Sequence, residues 1–144
     1  EFKHSEGDPH IKGKIRQLRQ QRMKKRMMAA VPQASVIITN PTHYAVALRY
    51  DSKKMGAPRV VAKGKGLVAE QIRAIAGENK VPLYSAPPLA RAIYYSTDLD
   101  AEIPAGLYHA VAQVLAYIFQ LREGMQVPPP PAELPIPAAL QRPV

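Results

Sequence analysis

The sequence predicts an α/β fold: a small four-stranded mixed sheet flanked by helices, a long N-terminal linker helix and a disordered proline-rich C-terminal tail. Three observations carry the prediction. Runs rich in β-branched and apolar residues recur at 35–39, 44–50, 59–63 and 81–84, the pattern of short strands. Segments with apolar residues at helical spacing alternate with them. Seven prolines fall within the last 18 residues, a composition that forms neither helix nor central strand. The expected division is a basic juxtamembrane linker and helix at 1–32, a globular unit at 33–126 and a flexible tail at 127–144.

Residues 1–10 read as loose, with Gly7 and Pro9 interrupting a helix. Residues 11–30 read as a helix whose apolar stripe, Ile11, Ile15, Leu18, Met23 and Met27, is thin. A helix this polar needs support from elsewhere. Two strands follow, Ser35 to Thr39 and Tyr44 to Tyr50, and their short connection favours an antiparallel pair. Arg59 to Lys63 is a third strand, and Gly64-Lys65-Gly66 marks a turn. Leu67, Val68, Ile72, Ile75 and Ala76 define a helix to about Asn79. Val81 to Tyr84 is an edge strand, because Pro82 lacks a ladder donor. Pro87 and Pro88 open a helix that runs to Ser96. The last helix begins after Pro104 and ends near Glu123, with Leu107, Val111, Val114, Leu115, Ile118 and Leu121 on its apolar face.

The chain has 144 residues, a net charge of +9 and no cysteine. Disulfides and thiolate metal sites are excluded. His4, His10, His43 and His109 lack ligand spacing, so no metal is expected. No cofactor motif is present, since Gly64-Lys65-Gly66 is not a phosphate loop. No apolar run is long enough to cross a bilayer, and no secretory signal is visible. The opening Glu1-Phe2-Lys3 lacks a methionine, which suggests a piece of a longer protein. No acidic residue lies between Asp8 and Asp51, while eight basic residues lie between 12 and 26. Such an arm fits a linker beside anionic lipid, a solvated helix, or a nucleic-acid arm. The last is the weakest, because residues 9–43 carry no Phe, Tyr or Trp, and no nucleic-acid partner is expected.

Asn40-Pro41-Thr42-His43 is the segment that points to chemistry. Proline has no N–H, so the usual attack on an asparagine side chain by the following amide is closed. The reverse attack remains, of the Asn40 side-chain nitrogen on its own main-chain carbonyl. It forms a succinimide and expels the Pro41 nitrogen. Holding the amide at attack distance makes this intramolecular, and the His43 imidazole could transfer the proton. Thr42 could orient the loop. An inert turn is the competing reading, since Asn-Pro is a common turn opener. It is not a glycosylation acceptor, because proline fills the middle position.

Asn40-Pro41-Thr42-His43 followed by Tyr44-Ala45-Val46-Ala47-Leu48 resembles the cytoplasmic domain of the FlhB/YscU family, autocleaving switch components of type III export machines. Pro58-Arg59-Val60-Val61-Ala62-Lys63-Gly64, Val81-Pro82, Pro87 to Tyr94 and Ile103-Pro104 extend the resemblance to all but the tail. Met55-Gly56-Ala57-Pro58 is similar to the flagellar more than the injectisome branch. The resemblance implies a domain that follows four transmembrane helices, on the cytoplasmic side of the bacterial inner membrane. It implies that Asn40 cleaves itself in a single event rather than by turnover, that Pro41 becomes a new N-terminus, and that Thr42 and His43 assist. It implies a switch of export from rod- and hook-type to filament-type subunits, signalled by a hook-length control protein. Other export-gate components and the chain's own transmembrane domain would be partners. Ala57, Pro58, Ala112 and Leu115 match positions of an apolar patch for rod- and hook-type substrates. On helix spacing alone, Ala112 and Leu115 are equally well explained as core. The remaining alternatives are an injectisome-type switch, or a basic lipid- or nucleic-acid-binding module with an inert Asn-Pro turn.

Overall fold

A computed structural model describes residues 8–41 and 43–143. Helix α1 spans Pro9–Ala30. It starts earlier than the sequence suggested, because Pro9 occupies the first turn, where a missing N–H costs nothing. The Asp8 side chain caps the helix by accepting from the His10 N–H at 2.8 Å. The expectation of loose structure at residues 1–7 lies outside the described residues. The stripe Ile11, Ile15 and Leu18 stays exposed. Support comes at the other end, where Met27 and Met28 pack against a core cluster. Arg26 and Asp100 form an exposed ion pair there at 3.3 Å.

A 3-10 turn at Val31–Gln33 leads into β1, Val36–Asn40, then β2, Tyr44–Arg49, and β3, Arg59–Lys65. Helix α2 covers Leu67–Glu78, β4 Leu83–Ser85, α3 Pro87–Ser96 and α4 Tyr108–Arg122. The sheet order is β3-β2-β1-β4. β1 pairs antiparallel with β2 and parallel with β4, so the sheet is mixed and β4 lies at its edge. The two strands joined by the Asn40 turn are the central pair.

Both faces of this pair are buried, and strand alternation divides them. Val36, Ile38, Val46 and Leu48 face a core built with Leu89 and Ile93 of α3 and Val111 and Val114 of α4. Ile37, Ala45 and Ala47 face the other core, with Ala69, Ile72 and Ala76 of α2. Helices therefore flank both sides of the sheet.

The Gly64-Lys65-Gly66 turn differs from expectation. Gly64 and Lys65 belong to β3 and pair with Ala45 and Tyr44. Only Gly66, at φ 60°, makes the turn. Gly64 is needed for proximity instead, since a Cβ there would lie 2.7 Å from the Val68 Cβ.

The tail is extended, as expected, apart from a 3-10 turn at Ala138–Leu140. Leu134, Ile136 and Leu140 pack against the core beside α3 and α4. Prolines forbid regular structure here, and three apolar side chains nevertheless find apolar surface to cover.

Candidate functional site

Asn40 is the last residue of β1 and pairs with Tyr44 across a three-residue connection. The β1–β2 ladder extends to the residue that precedes the turn, whereas the pairing with β4 ends one residue earlier, at Thr39. Asn40 is buried, at 8% exposure, whereas Pro41 and His43 are exposed. The His43 N–H donates to the Asn40 carbonyl at 2.9 Å. This is a four-residue turn with Asn first and Pro second. The His43 carbonyl in turn accepts the Gly66 N–H at 3.0 Å, which ties the turn to the β3–α2 corner. Thr42 lies outside the described residues.

A tyrosine cluster stands beside the turn. The Tyr44 and Tyr95 hydroxyls are 2.7 Å apart. The Tyr44 ring centroid is 5.0 Å from that of Tyr94. The hydrogen bond to Tyr95 and then burial raise the Tyr44 pKa above its ordinary value. Lys63 braces the same cluster. Its Nζ donates to the carbonyls of Tyr94 and Thr97, both at 2.7 Å, and lies 5.1 Å from the Tyr94 ring centroid. Burial lowers its pKa, with Asp98 opposing. Sequence reasoning did not single out Tyr95 or this role for Lys63. The only signal available was the doublet Tyr94-Tyr95 at the end of a helix.

The four patch residues come together elsewhere. Ala57, Pro58, Ala112 and Leu115 line one apolar cavity of about 350 Å³, with Tyr50, Tyr108 and Phe119 completing its wall. Leu115 and Ala57 are buried, and Ala112 is exposed at the rim. The two readings of this pair thus divide, with Leu115 contributing to the core and Ala112 not. The turn precedes β2 and Tyr50 follows it. The two sites are therefore separated by the length of that strand, roughly 20 Å at ~3.4 Å per residue.

Among the described residues, no cluster of three or more His, Asp or Glu side chains could hold a metal. None of the described helices is long and apolar enough to cross a membrane.

The FlhB HrpN YscU SpaS family profile matches residues 1–118. The flagellar biosynthetic proteins FlhB of Salmonella typhimurium and Escherichia coli are each 57% identical over 144 residues, covering 97% of this chain. The chain spans only 38% of the length of those relatives. The crystal structure of the cytoplasmic domain of FlhB from Shewanella putrefaciens is 53% identical, with a TM-score of 0.78 over 83% of this chain and 95% of that one. The EscU C-terminal domain with an asparagine-to-alanine substitution is 28% identical, with a TM-score of 0.62 over 64% of this chain and 92% of that one. A flagellar export relationship and a cytoplasmic-domain fold thus agree with the sheet and turn described above, and the chain belongs to the FlhB HrpN YscU SpaS family.

Proposed function

We propose that this chain is the cytoplasmic part of an inner-membrane flagellar export component that cleaves itself between Asn40 and Pro41. One observation supports this above others. The carbonyl that the Asn40 side-chain nitrogen would attack accepts the His43 N–H at 2.9 Å. That bond polarises the carbonyl and is in place to hold the oxyanion as it develops. The buried end of β1 limits how Asn40 can move, which favours intramolecular attack.

In the proposed step, Asn40 Nδ2 bonds to the Asn40 carbonyl carbon and the bond to the Pro41 nitrogen breaks. One proton leaves Nδ2 and one arrives at the Pro41 amine, so the step is neutral overall. His43 is the exposed imidazole within the turn that can carry it. Thr42 assists by holding the turn. The event happens once per chain and is not turnover of an external substrate.

Cleavage is proposed to permit the switch from rod- and hook-type to filament-type substrates, on the signal of a hook-length control protein. The early substrates would dock an apolar segment in the cavity of Ala57, Pro58, Ala112 and Leu115. Cutting the turn frees one end of β2, whose other end leads to Tyr50 in the cavity wall. This offers a mechanical route from the turn to the cavity. Other export-gate components and the chain's own transmembrane domain are the remaining partners. The location proposed is the cytoplasmic side of the inner membrane.

The test is the intact mass of the denatured protein beside an Asn40→Ala control. Two fragments meeting at Asn40-Pro41, absent from the control, are expected. A single chain after long incubation at neutral pH would refute self-cleavage. Normal switching in cells that carry Asn40→Ala would detach cleavage from the switch.

A further inference from the structure

The seat of the C-terminal tail is a constructed one. Leu134, Ile136 and Leu140 are each half-buried against the core that α3 and α4 close. The backbone at Pro137 (φ −54°, ψ 142°) and Gln141 (φ −71°, ψ 141°) is close to polyproline geometry. Arg91 of α3 is only 8% exposed. Its Nε donates to the Arg142 carbonyl at 3.0 Å. The Arg142 guanidinium stands 5.8 Å from the centre of the Tyr95 ring. Gly106 supplies clearance, since a Cβ there would come within 3.1 Å of both Leu140 Cδ1 and Pro137 Cγ.

These features match the recognition of an extended proline-spaced peptide. Apolar side chains enter at intervals, a buried cation takes a backbone carbonyl, and an aromatic ring closes one end. The fit is loose. A cavity of about 370 Å³ remains between the tail and α3, and most tail residues are exposed. A segment with so few anchors is exchangeable in a way that a core strand is not.

We infer that the groove along α3 is a receptor site for an extended, proline-spaced apolar peptide, occupied in cis by residues 134–142 as a removable plug. A partner segment of the same chemistry takes the groove when the plug leaves. The groove adjoins the cluster beside the Asn40 turn through Tyr95, and its test does not require cleavage.

The experiment uses the full chain and a fluorescent synthetic peptide of residues 127–144, read by anisotropy. In one variant, Leu134→Ser, Ile136→Ser and Leu140→Ser together empty the groove without altering its walls. This variant is expected to bind the peptide. The parent should bind far more weakly, because a short tether presents the cis tail at an effective concentration on the order of 1 mM. For a peptide that binds at ~10 µM, the ratio is ~100-fold. A peptide with the same three serines should not bind. Adding Gly106→Val to the emptied chain should abolish binding, with an unchanged thermal transition showing that the body is still folded. The inference fails if the emptied chain takes up no peptide, binds it no better than the parent, or keeps full affinity with Gly106→Val.

Discussion

Gly64 sits where β3 passes the first turn of α2, and Gly64→Ala tests whether that corner is as tight as its geometry indicates. A new Cβ would overlap the Val68 side chain, lying 2.7 Å from its Cβ, and would stand 3.3 Å from its carbonyl carbon. A γ-methyl can rotate away, but a Cβ and a backbone carbon move only with the helix. Overpacking of this kind costs about 1–3 kcal/mol, and the backbone contact places Gly64→Ala in the upper part, ~2–3 kcal/mol. At roughly 4 °C per kcal/mol for a chain of this size, Tm should fall by about 8–12 °C. The comparison belongs in an Asn40→Ala background, where a single uncut chain keeps the unfolding unimolecular. Val68→Ala should rescue only part of the loss, because it removes the γ-methyls and leaves the Cβ. A double-mutant cycle should therefore show a coupling of about 1 kcal/mol. Gly66 is two residues away and its N–H holds the His43 carbonyl. Hydrogen exchange at Gly66 should accelerate in the Gly64→Ala chain. A loss below about 0.5 kcal/mol, the range of ordinary surface changes, would refute the reasoning.

Three further outcomes are expected. After cleavage, residues 1–40 and 41–144 should co-elute in native buffer and separate only in denaturant, because β1 is buried along its length and paired on both edges; separation in native buffer would contradict this. Tyr44 and Tyr84 should ionise above the ordinary value of 10.0, Tyr44 through its bond to Tyr95 and Tyr84 mainly through burial. Both fold best as neutral phenols, so their contribution is complete below pH 10.0 and is lost as pH rises through the folded pKa values. Tyrosinate absorbance against pH checks this, and Tyr95→Phe should return Tyr44 toward its ordinary value. Finally, Ala112→Asp at the exposed rim of the apolar cavity should change stability by less than about 0.5 kcal/mol and abolish the proposed capture of rod- and hook-type segments; a variant that binds such segments as well as the parent would remove the cavity as their dock.

Much of this protein is determined by local sequence. The division of 36–40 and 44–49 between two cores follows from side chains alternating across a strand. The turn between them follows from Asn-Pro, since proline fixes one torsion and asparagine suits the first position. The candidate chemistry is equally local, because nucleophile, electrophile and leaving group all belong to Asn40 and Pro41. What the tertiary structure decided involves residues distant in sequence. Gly64 reads as a turn residue until the approach of α2 shows it to be a spacer. Ala112 and Leu115 share one helix face by spacing, yet only the packing of α4 into the core beside the sheet buries Leu115 and leaves Ala112 at the rim. The proline-rich tail is uninformative alone, because composition reports which structures it cannot form and not what surface it covers. Its seat depends on Arg91 and Gly106, more than 25 residues upstream, and only folding brings them within contact distance.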